Sequence, residues 1–416
     1  MHYNGQKWCE DSSRAVQGLS MGVAMRLRKQ AANEPDKARA VEIFKAALKA
    51  ESIRSMKDMM ETAKASVTVQ PDEFDTDPFV FNTQNGALLL KSGELARHDR
   101  LYMLSKIAGC EYRPDAPAPV WDRFLNEIMG GDEDMVGFLK RAVGYSLSGD
   151  CSGRCMFILH GSGTNGKSTF LETIARVMGD YATTTSVDLL MMRKQEGISE
   201  DLARLRGARY VTAAEVDEGR RLAESKIKAM TGRDTLSARF LYGHTFNFLP
   251  QFKLWMSTNH KPIIRGTDKA IWNRIRLVPF AVTIAPDAVD PHLNAKLSAE
   301  LPGILRWAVD GFGEWVGIGL NPPRQVTDAT AAYRTDMDAI GEWIEERCEL
   351  VGIAKIKVNL LYADYRRYST NTGEEPISNK AFTLALEERG IDRERSKHDR
   401  FYRGIHLRQQ SPESEG

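Results

Sequence analysis

The chain has 416 residues, of which 42% are hydrophobic and 27% charged, and its formal net charge is +1. This composition is typical of a folded globular protein of about two to four domains. The near-neutral balance excludes a protein that holds nucleic acid by an overall positive field, so any DNA contact must be local.

The sequence shows no pattern for export or for membrane insertion. No apolar stretch approaches the length of about 20 residues that crosses a bilayer, and the polar amino terminus lacks a signal peptide's charged and apolar regions. We therefore expect a cytoplasmic protein without membrane contact.

Five scattered cysteines argue against a secreted disulfide framework. Cys151 and Cys155 in "CSGRC" could form half of a zinc site, but neither a second pair nor a His-x-His partner accompanies them. Reduced structural thiols are the preferred interpretation.

The amino-terminal part predicts helices followed by a hairpin. Residues 12–66 carry apolar residues three and four positions apart, which indicates helices. In "DPFVFNTQNGALLLKSGEL" two apolar runs flank Asn85-Gly86, a strong turn signal. The proline-rich "EYRPDAPAP", which ends at Pro119, disfavours helix and predicts a linker.

The middle of the chain predicts an α/β fold. Residues 121–129 and 134–147 read as amphipathic helices, and residues 156–280 then alternate β-like runs with helical patterns. This alternation indicates a mostly parallel sheet covered by helices. The candidate strands are 156–159, 210–214, 253–258 and 276–280.

The last 75 residues or so, after the linker "GIGLNPPRQV", predict a separate small domain. Helical patterns are followed by Gly390 as a helix stop and by a basic β-like segment, "RFYRGIHLR". The polar "QQSPESEG" is expected to be disordered. The predicted helices are 339–350, 359–368 and 379–389.

A complete phosphate-binding motif, G-x-x-x-x-G-K-[ST], lies between a predicted strand and a predicted helix. Its glycines let backbone N–H groups surround phosphates, Lys167 reaches the β and γ phosphates, and the Ser168 hydroxyl binds Mg²⁺. The motif predicts an ATP or GTP site. The candidate nucleotide-binding residues are Gly161, Ser162, Gly163, Thr164, Asn165, Gly166, Lys167, Ser168 and Thr169.

Hydrolysis needs more than a phosphate loop, and two later strands offer polar ends. The run 210–214 ends in Glu215, with Asp217 just beyond, and a carboxylate there could hold Mg²⁺ and polarise water. Asn259 follows the strand 253–258 and could orient the attacking water. The alternatives are an acidic surface loop and an asparagine that caps a turn before Pro262.

The segment "RGTDKAIWNRIRLVPF" offers Arg265, Arg274 and Arg276. A motor that assembles as a ring needs an arginine that reaches a neighbour's γ-phosphate. A solvated basic helix explains the same residues equally well.

Taken in order, "GSGTNGKST", "VTAAEVDEG", "ESKIKAMTGRD", "SARFLYGHTFNF", "LWMSTNH" and "RGTDKAIWNRIRLVPF" resemble the superfamily 3 helicase module of phage and plasmid primase-helicases, a family that includes poxvirus-like replicative helicases. The resemblance implies an AAA+ ATPase that forms a ring, usually a hexamer, around one DNA strand and translocates 3′ to 5′. Its cofactors would be ATP and Mg²⁺.

The resemblance also implies roles for single residues. Lys167 and Ser168 would hold phosphate and Mg²⁺, Glu215 would be the catalytic acid, and Asn259 the first sensor. Arg274 would act in trans, and Lys228 lies near a nucleotide-contacting position. Tyr242 and His244 would form the tip of a pore hairpin that grips DNA; their alternative reading is as ordinary turn residues.

By the same resemblance, residues 1–117 are a helicase-associated lobe, 118–320 the AAA+ domain and 321–416 a winged-helix domain with its tail. The sequence departs from the family pattern in two respects. Its acidic strand ends Ala-Glu instead of in two acids, so a metal role for Asp217 is open. No primase region precedes the helicase module, which fits either a helicase-only protein or part of a longer polypeptide.

Direct support for DNA binding comes from the basic carboxyl-terminal segment. Between residues 389 and 408, seven basic residues stand against three acidic ones, interleaved with Phe401 and Tyr402. Lys380, near the start of a predicted helix, could enter a major groove, with Arg400 and Arg403 nearby. A solvated surface would carry similar charge.

The leading hypothesis is an ATP-driven motor that unwinds single-stranded and forked DNA as a homo-oligomeric ring, with a primase or polymerase as a further partner. An AAA+ loader or protein-remodelling ATPase is the alternative, and DNA stimulation of ATP hydrolysis would separate the two. A P-loop kinase fits poorly because it needs neither the sensor strand nor a trans arginine. A P-loop protein without catalysis fits least.

Overall fold

The computed structural model describes residues 1–11, 14–192, 200–214, 217–265, 269–372, 376–395 and 399–408. The helices in these ranges are α1 (Ala15–Asn33), α2 (Lys37–Ala50), α3 (Ile53–Lys64), α4 (Pro119–Ile128), α5 (Glu133–Leu147), α6 (Lys167–Met178), α7 (Glu200–Arg204), α8 (Glu224–Met230), α9 (Lys269–Trp272), α10 (Leu293–Ala299), α11 (Leu301–Ile318), α12 (Arg324–Asp336), α13 (Ala339–Arg347), α14 (Val358–Asn371) and α15 (Asn379–Glu387).

The strands in the same ranges are β1 (His2–Tyr3), β2 (Trp8–Cys9), β3 (Val80–Thr83), β4 (Gly86–Leu89), β5 (Glu94–Ala96), β6 (Met156–His160), β7 (Ala182–Thr184), β8 (Tyr210–Ala214), β9 (Leu236–Arg239), β10 (Thr245–Phe248), β11 (Lys253–Thr258), β12 (Ile275–Pro279), β13 (Cys348–Lys357), β14 (Arg393–Arg395) and β15 (Arg400–Leu407). No described helix is both long and apolar enough to cross a membrane.

The helices predicted for the amino-terminal part are confirmed as α1, α2 and α3, which pack on one another. Side-chain caps define two of their starts: the Asp36 carboxylate accepts hydrogen bonds from the first turn of α2, and the Ser52 hydroxyl does so for α3. The proline-rich linker extends less far than predicted. Pro119 is the first residue of α4, where a missing N–H costs no helical hydrogen bond.

The predicted hairpin is present, but its turn lies one residue earlier than expected. Thr83 pairs with Gly86, so Gln84 and Asn85 form the loop and Gly86 belongs to β4. A Cβ at Gly86 would overlap the carbonyl oxygen of Ala96 on β5. Glycine is therefore needed there for the close approach of two strands, not for a turn conformation.

The centre of the molecule is a five-stranded parallel sheet in the order β12-β6-β11-β8-β7. Its four predicted strands are confirmed, within one residue at their ends, and β7 is an additional edge strand. Both faces are buried: Phe157 and Trp255 stack at 4.3 Å in one apolar cluster, while Ile158 and Met256 lie in the other. Burial on two faces explains the continuous apolar runs.

Helix α12 packs against the edge strand β12, although it begins within the linker that the sequence placed before the last domain. Tyr333 of α12 is buried in the sheet's second apolar cluster, and the Leu277 N–H donates to the Thr330 hydroxyl at 3.1 Å. The carboxyl-terminal cluster begins only at Ile340. Residues 324–336 therefore pack with the central sheet and not with the carboxyl-terminal core.

The carboxyl-terminal part has the order α13, β13, α14, α15, β14, β15, with an antiparallel sheet ordered β13-β15-β14. Its core includes Trp343, Tyr365 and Phe382. The helix predicted for 339–350 ends at Arg347, because Cys348 onwards pairs with β15. Residues 409–416, predicted to be disordered, lie outside the described residues.

The five cysteines are free and four are buried, which confirms the reading as reduced thiols. Burial raises the pKa of the Cys155 thiol to about 12, so it stays protonated.

Candidate nucleotide-binding site

The loop between β6 and α6 needs glycine at three positions, two for their backbone conformation and one for space. Gly163 and Gly166 have φ angles of +109° and +80°, in the left-handed region. Gly161 is needed for space instead, because a Cβ there would overlap the Asn165 side chain and the Phe280 carbonyl. Gly166 is packed against Ile128 and Phe124 of α4. The loop is therefore held by the segment after β12 on one side and by α4 on the other.

Lys167 begins α6 and is buried, with 5% of its surface exposed. Its Nζ donates to the Gly161 carbonyl at 2.7 Å, to Asn165 Oδ1 at 2.9 Å and to Asn259 Oδ1 at 3.2 Å. Burial lowers the pKa of Lys167. All three partners are neutral oxygens, so the ammonium can still bind an anion.

A cavity of about 310 Å³ lies in front of this loop. It is bounded by the loop that follows β6 and by the carboxyl ends of β8 and β11, and its lining residues are Gly163, Thr164, Asn165, Gly166, Lys167, Ser168, Thr169, Ala214, Ser257, Thr258 and Asn259. The structure thus brings together most of the predicted phosphate-binding residues and Asn259. Ser162 is exposed on the loop, and it and Gly161 do not line the cavity.

The acidic candidates are only partly described. Ala214, the last residue of β8, lines the cavity, but Glu215 lies outside the described residues. The Asp217 side chain is 87% exposed, its nearest described cation is Arg220 at 3.9 Å, and it does not line the cavity. Asp217 therefore lies outside the cavity in front of the phosphate loop.

Ser168 fits a Mg²⁺ role because its side chain is exposed and lines the cavity. In the described part of the chain no cluster of three His, Cys, Asp or Glu residues could hold a metal. Mg²⁺ bound with a nucleotide needs no such cluster, since phosphates and water supply most of its ligands.

A second cavity, of about 500 Å³, adjoins the loop from the other side and shares Thr164, Gly166 and Thr169 with the first. Its other walls come from α4 and from the segment after β12, and include Val120, Phe124, Ile284, Val289 and Leu293. No sequence motif marks these residues as part of a binding site. The signal was weak, because an apolar face of α4 is also what any packed helix shows.

The candidate trans arginine lies away from this site. Arg274 directly precedes β12, and its carbonyl accepts the Met156 N–H at the start of β6, whereas the phosphate loop follows the other end of β6. Its side chain donates to Thr231 Oγ1 at 3.1 Å and to the Ala270 carbonyl at 2.5 Å. Lys228 lies on α8 and lines neither cavity.

The predicted pore hairpin is confirmed as a hairpin. Strands β9 and β10 are antiparallel: Leu236 pairs with Phe248 at the base of the hairpin, and Arg239 pairs with Thr245 near its tip. Tyr242 stands at the tip, 99% exposed and with a φ of +61°, and His244 is exposed beside it. Phe240 and Phe246 stack at 5.6 Å just below. Contact of this tip with DNA stays a prediction.

The basic carboxyl-terminal segment divides into two groups. Lys380, Arg400 and Arg403 are exposed, on the first turn of α15 and along β15. Arg389 and Arg408 instead hold the domain together, through the Asp338 carboxylate and the Cys348 carbonyl. The side chains of Lys380, Arg400 and Arg403 form no hydrogen bond or salt bridge with a described residue, so these three are the cations available to a phosphate backbone.

Two family models match this chain. One, described as "D5 N terminal like", matches residues 1–130. The other, described as a family of unknown function (DUF5906), matches residues 159–274.

Several curated viral proteins are similar in sequence. A "Putative helicase" of Acanthamoeba polyphaga mimivirus is 28% identical over 276 residues, covering 61% of this chain and 29% of that protein. A "Putative helicase" of Frog virus 3 is 30% identical over 236 residues, covering 52% and 24%. A "Putative primase" of African swine fever virus is 24% identical over 217 residues, covering 49% and 22%. The chain thus spans less than a third of the length of these relatives.

Among solved structures, the apo NrS-1 C terminal region is similar with a TM-score of 0.43 and 8% identity, covering 71% of this chain and 77% of that one.

Proposed function

This chain belongs to the phage and viral primase-helicase family, and from that premise we propose that it is an ATP-dependent DNA helicase. In this proposal it is a superfamily 3 AAA+ ATPase that works as a ring, hexameric by family resemblance. It moves 3′ to 5′ along single-stranded DNA during replication.

The observation that carries the proposal is the hydrogen bond between Lys167 Nζ and Asn259 Oδ1, 3.2 Å across the ends of two neighbouring strands. A phosphate-binding lysine and a polar strand end that touch each other can contact the same γ-phosphate. Strand β8 adjoins β11 on its other side, and Ala214, its last residue, directly precedes Glu215 in the sequence. The strand order therefore supports a site for hydrolysis, not only for phosphate binding.

The two adjoining cavities support a nucleoside triphosphate as the ligand. The cavity beside the phosphate loop has room for a base and sugar against the apolar residues of α4, while phosphates meet the loop. Ser168 would hold Mg²⁺, together with a carboxylate from the segment after β8. The metal would neutralise charge that develops on the phosphates.

The chain's own residues supply the remaining steps. Loop N–H groups and the α6 amino terminus bind phosphate oxygens, and Lys167 exchanges its carbonyl partner Gly161 for a phosphate oxygen. Asn259 Oδ1, once released from Lys167, can accept a hydrogen bond from the attacking water and so orient it. The bond between Lys167 and Asn259 would thus report whether nucleotide is present.

Two surfaces support DNA as the substrate. The exposed hairpin tip offers an aromatic ring and an imidazole for a strand. The order helix, strand, helix, helix, strand, strand at the carboxyl end is that of a winged helix, whose second and third helices form a helix-turn-helix. Exposed Lys380, Arg400 and Arg403 lie on that unit.

The test is ATP hydrolysis by the full chain with and without single-stranded DNA, alongside strand separation of a forked duplex. We expect DNA to stimulate hydrolysis and the fork to separate only with hydrolysable ATP. Lys167→Ala should lower turnover by at least about 100-fold, and Asn259→Ala should do so while nucleotide affinity changes little.

Tyr242→Ala is the matched control, since it should keep hydrolysis without DNA but lose stimulation and unwinding. If the wild type hydrolyses ATP at the same rate with and without DNA, a loader or protein-remodelling ATPase is favoured. Hydrolysis retained in Lys167→Ala would refute the site.

A further inference from the structure

A groove of about 800 Å³ lies at the base of the β9–β10 hairpin, at the end opposite the tip. We call it the hairpin groove. One wall is formed by the chain start and by residues 67–76, and the other by the ends of the hairpin strands. The residues used below are Trp8, Phe74, Lys106, Arg206, Asn247 and Leu249, all of which line it.

Two half-buried cations face this groove without an acidic partner. Neither Lys106 nor Arg206 forms a salt bridge or side-chain hydrogen bond with a described residue, and Arg206 lies over the Phe246 ring at 5.4 Å. Asp72 and Asp75 also line the groove. Both Asp75 oxygens already accept from Ser105, and Asp72 is exposed to solvent. Neither carboxylate lies within salt-bridge distance of Lys106 or Arg206, so both cations are available to a phosphate.

The opposite wall carries aromatic rings. Trp8 and Phe74 meet edge to face, with centroids 6.0 Å apart, and both remain partly exposed. Trp8 is held in place by its Nε1–H, which donates to the Arg100 carbonyl at 3.0 Å. Aromatic faces beside phosphate-binding cations are the combination that holds single strands without sequence preference.

The groove continues along the hairpin. Asn247 on β10 accepts from the Ser237 hydroxyl at 2.6 Å, which leaves its amide N–H groups to donate into the groove. Each strand of four residues spans about 13 Å, so tip and groove are about that far apart on one rigid ribbon. A single strand that touches the tip can reach the groove within a few nucleotides.

We propose that the hairpin groove binds single-stranded nucleic acid, with phosphates at Lys106 and Arg206 and bases against Trp8 and Phe74. This site rests on the proposed function, because it extends the strand path of a DNA motor beyond the hairpin tip. It gives each subunit two contacts on one strand, one at the tip and one at the base of the same hairpin.

The first test measures binding of a fluorescent oligo(dT) to the full chain with a non-hydrolysable ATP analogue, over a range of salt. Lys106→Gln should weaken binding about 5-fold and reduce the salt slope by about 0.7, the value for one phosphate contact on a single strand. Lys106→Arg should restore both. Lys45→Gln, an exposed lysine on α2, is the control and should change neither.

A thermal unfolding curve equal to the wild type's excludes misfolding of Lys106→Gln. If its affinity and salt slope match those of Lys45→Gln while Tyr242→Ala still weakens binding, the groove proposal is wrong and the proposed function stands. If the wild type binds no oligo(dT), both fail.

A second test uses a photo-crosslinking amino acid at Leu249, which lines the groove and is 61% exposed, and at Val316 on α11, which is 62% exposed and does not line the groove. Crosslinks to ordinary oligo(dT) should form from position 249 and not from 316. Equal yields at both positions, or none at 249, would overturn the groove as a binding site.

Discussion

At the scale of single residues, the site depends on Gly161, because no larger residue fits at that position. Gly161→Ala would force the Asn165 side chain and the Phe280 carbonyl apart, and both help to fix Lys167 and the loop. We expect ATP affinity to fall by at least about 10-fold and the unfolding temperature to drop by several degrees. Fluorescent nucleotide binding and a thermal melt measure the two effects.

Gly18→Ala is the matched control, because Gly18 lies in α1 with no heavy atom near its missing Cβ. That change should leave ATP affinity intact and raise stability slightly, since alanine favours helix. Normal ATP binding by Gly161→Ala would show that the loop does not need this close approach.

The sequence could identify Lys167 and Asn259 one at a time, because each follows a recognisable strand pattern. Their contact could not be predicted without the strand order, since β6 and β11 lie nearly 100 residues apart in the chain. The packing of Gly166 on Phe124 was hidden for the same reason. The sequence motifs were enough to pick out the candidate residues, whereas the partners of those residues could be identified only from the tertiary fold.

At the scale of elements, the buried strands were the most predictable part. Long apolar runs identify β6, β8, β11 and β12, because burial on both faces leaves no polar alternation. The edge strand β7 has three partly exposed residues, so its pattern is too short to recognise. Strand β13 is mostly exposed, and its pairing with β15 overrides the helical pattern that precedes it.

The exposed cations of α15 and β15 give a prediction for the carboxyl-terminal unit. The double variant Lys380→Gln with Arg403→Gln should weaken binding to duplex DNA and reduce its salt slope by up to about 1.8, two phosphate contacts. Hydrolysis without DNA should stay at the wild-type rate. Fluorescence anisotropy with a duplex oligonucleotide over a salt range measures this.

The double variant Lys29→Gln with Lys45→Gln, at exposed lysines on α1 and α2, removes the same number of charges and serves as the control. An unchanged salt slope in the Lys380 and Arg403 double variant would show that these two cations do not contact duplex DNA.

At the scale of the whole molecule, the position of Arg274 sets the condition under which its proposed role is possible. Arg274 and the phosphate loop lie at opposite ends of β6, whose five residues separate them by about 16 Å. Within one subunit this arginine cannot contact its own nucleotide. Its proposed role therefore requires a neighbour, as in the head-to-tail interfaces that close rings.

The most direct test of this account is DNA-stimulated ATP hydrolysis by an equimolar mixture of Arg274→Ala and Glu215→Gln chains. Each variant alone should be inactive, the first for lack of the trans arginine and the second for lack of the catalytic acid. With random assembly about a quarter of the interfaces would pair an intact site with an intact arginine, so we predict about a quarter of wild-type hydrolysis. A mixture as inactive as its separate components would contradict the shared site and the ring motor built on it.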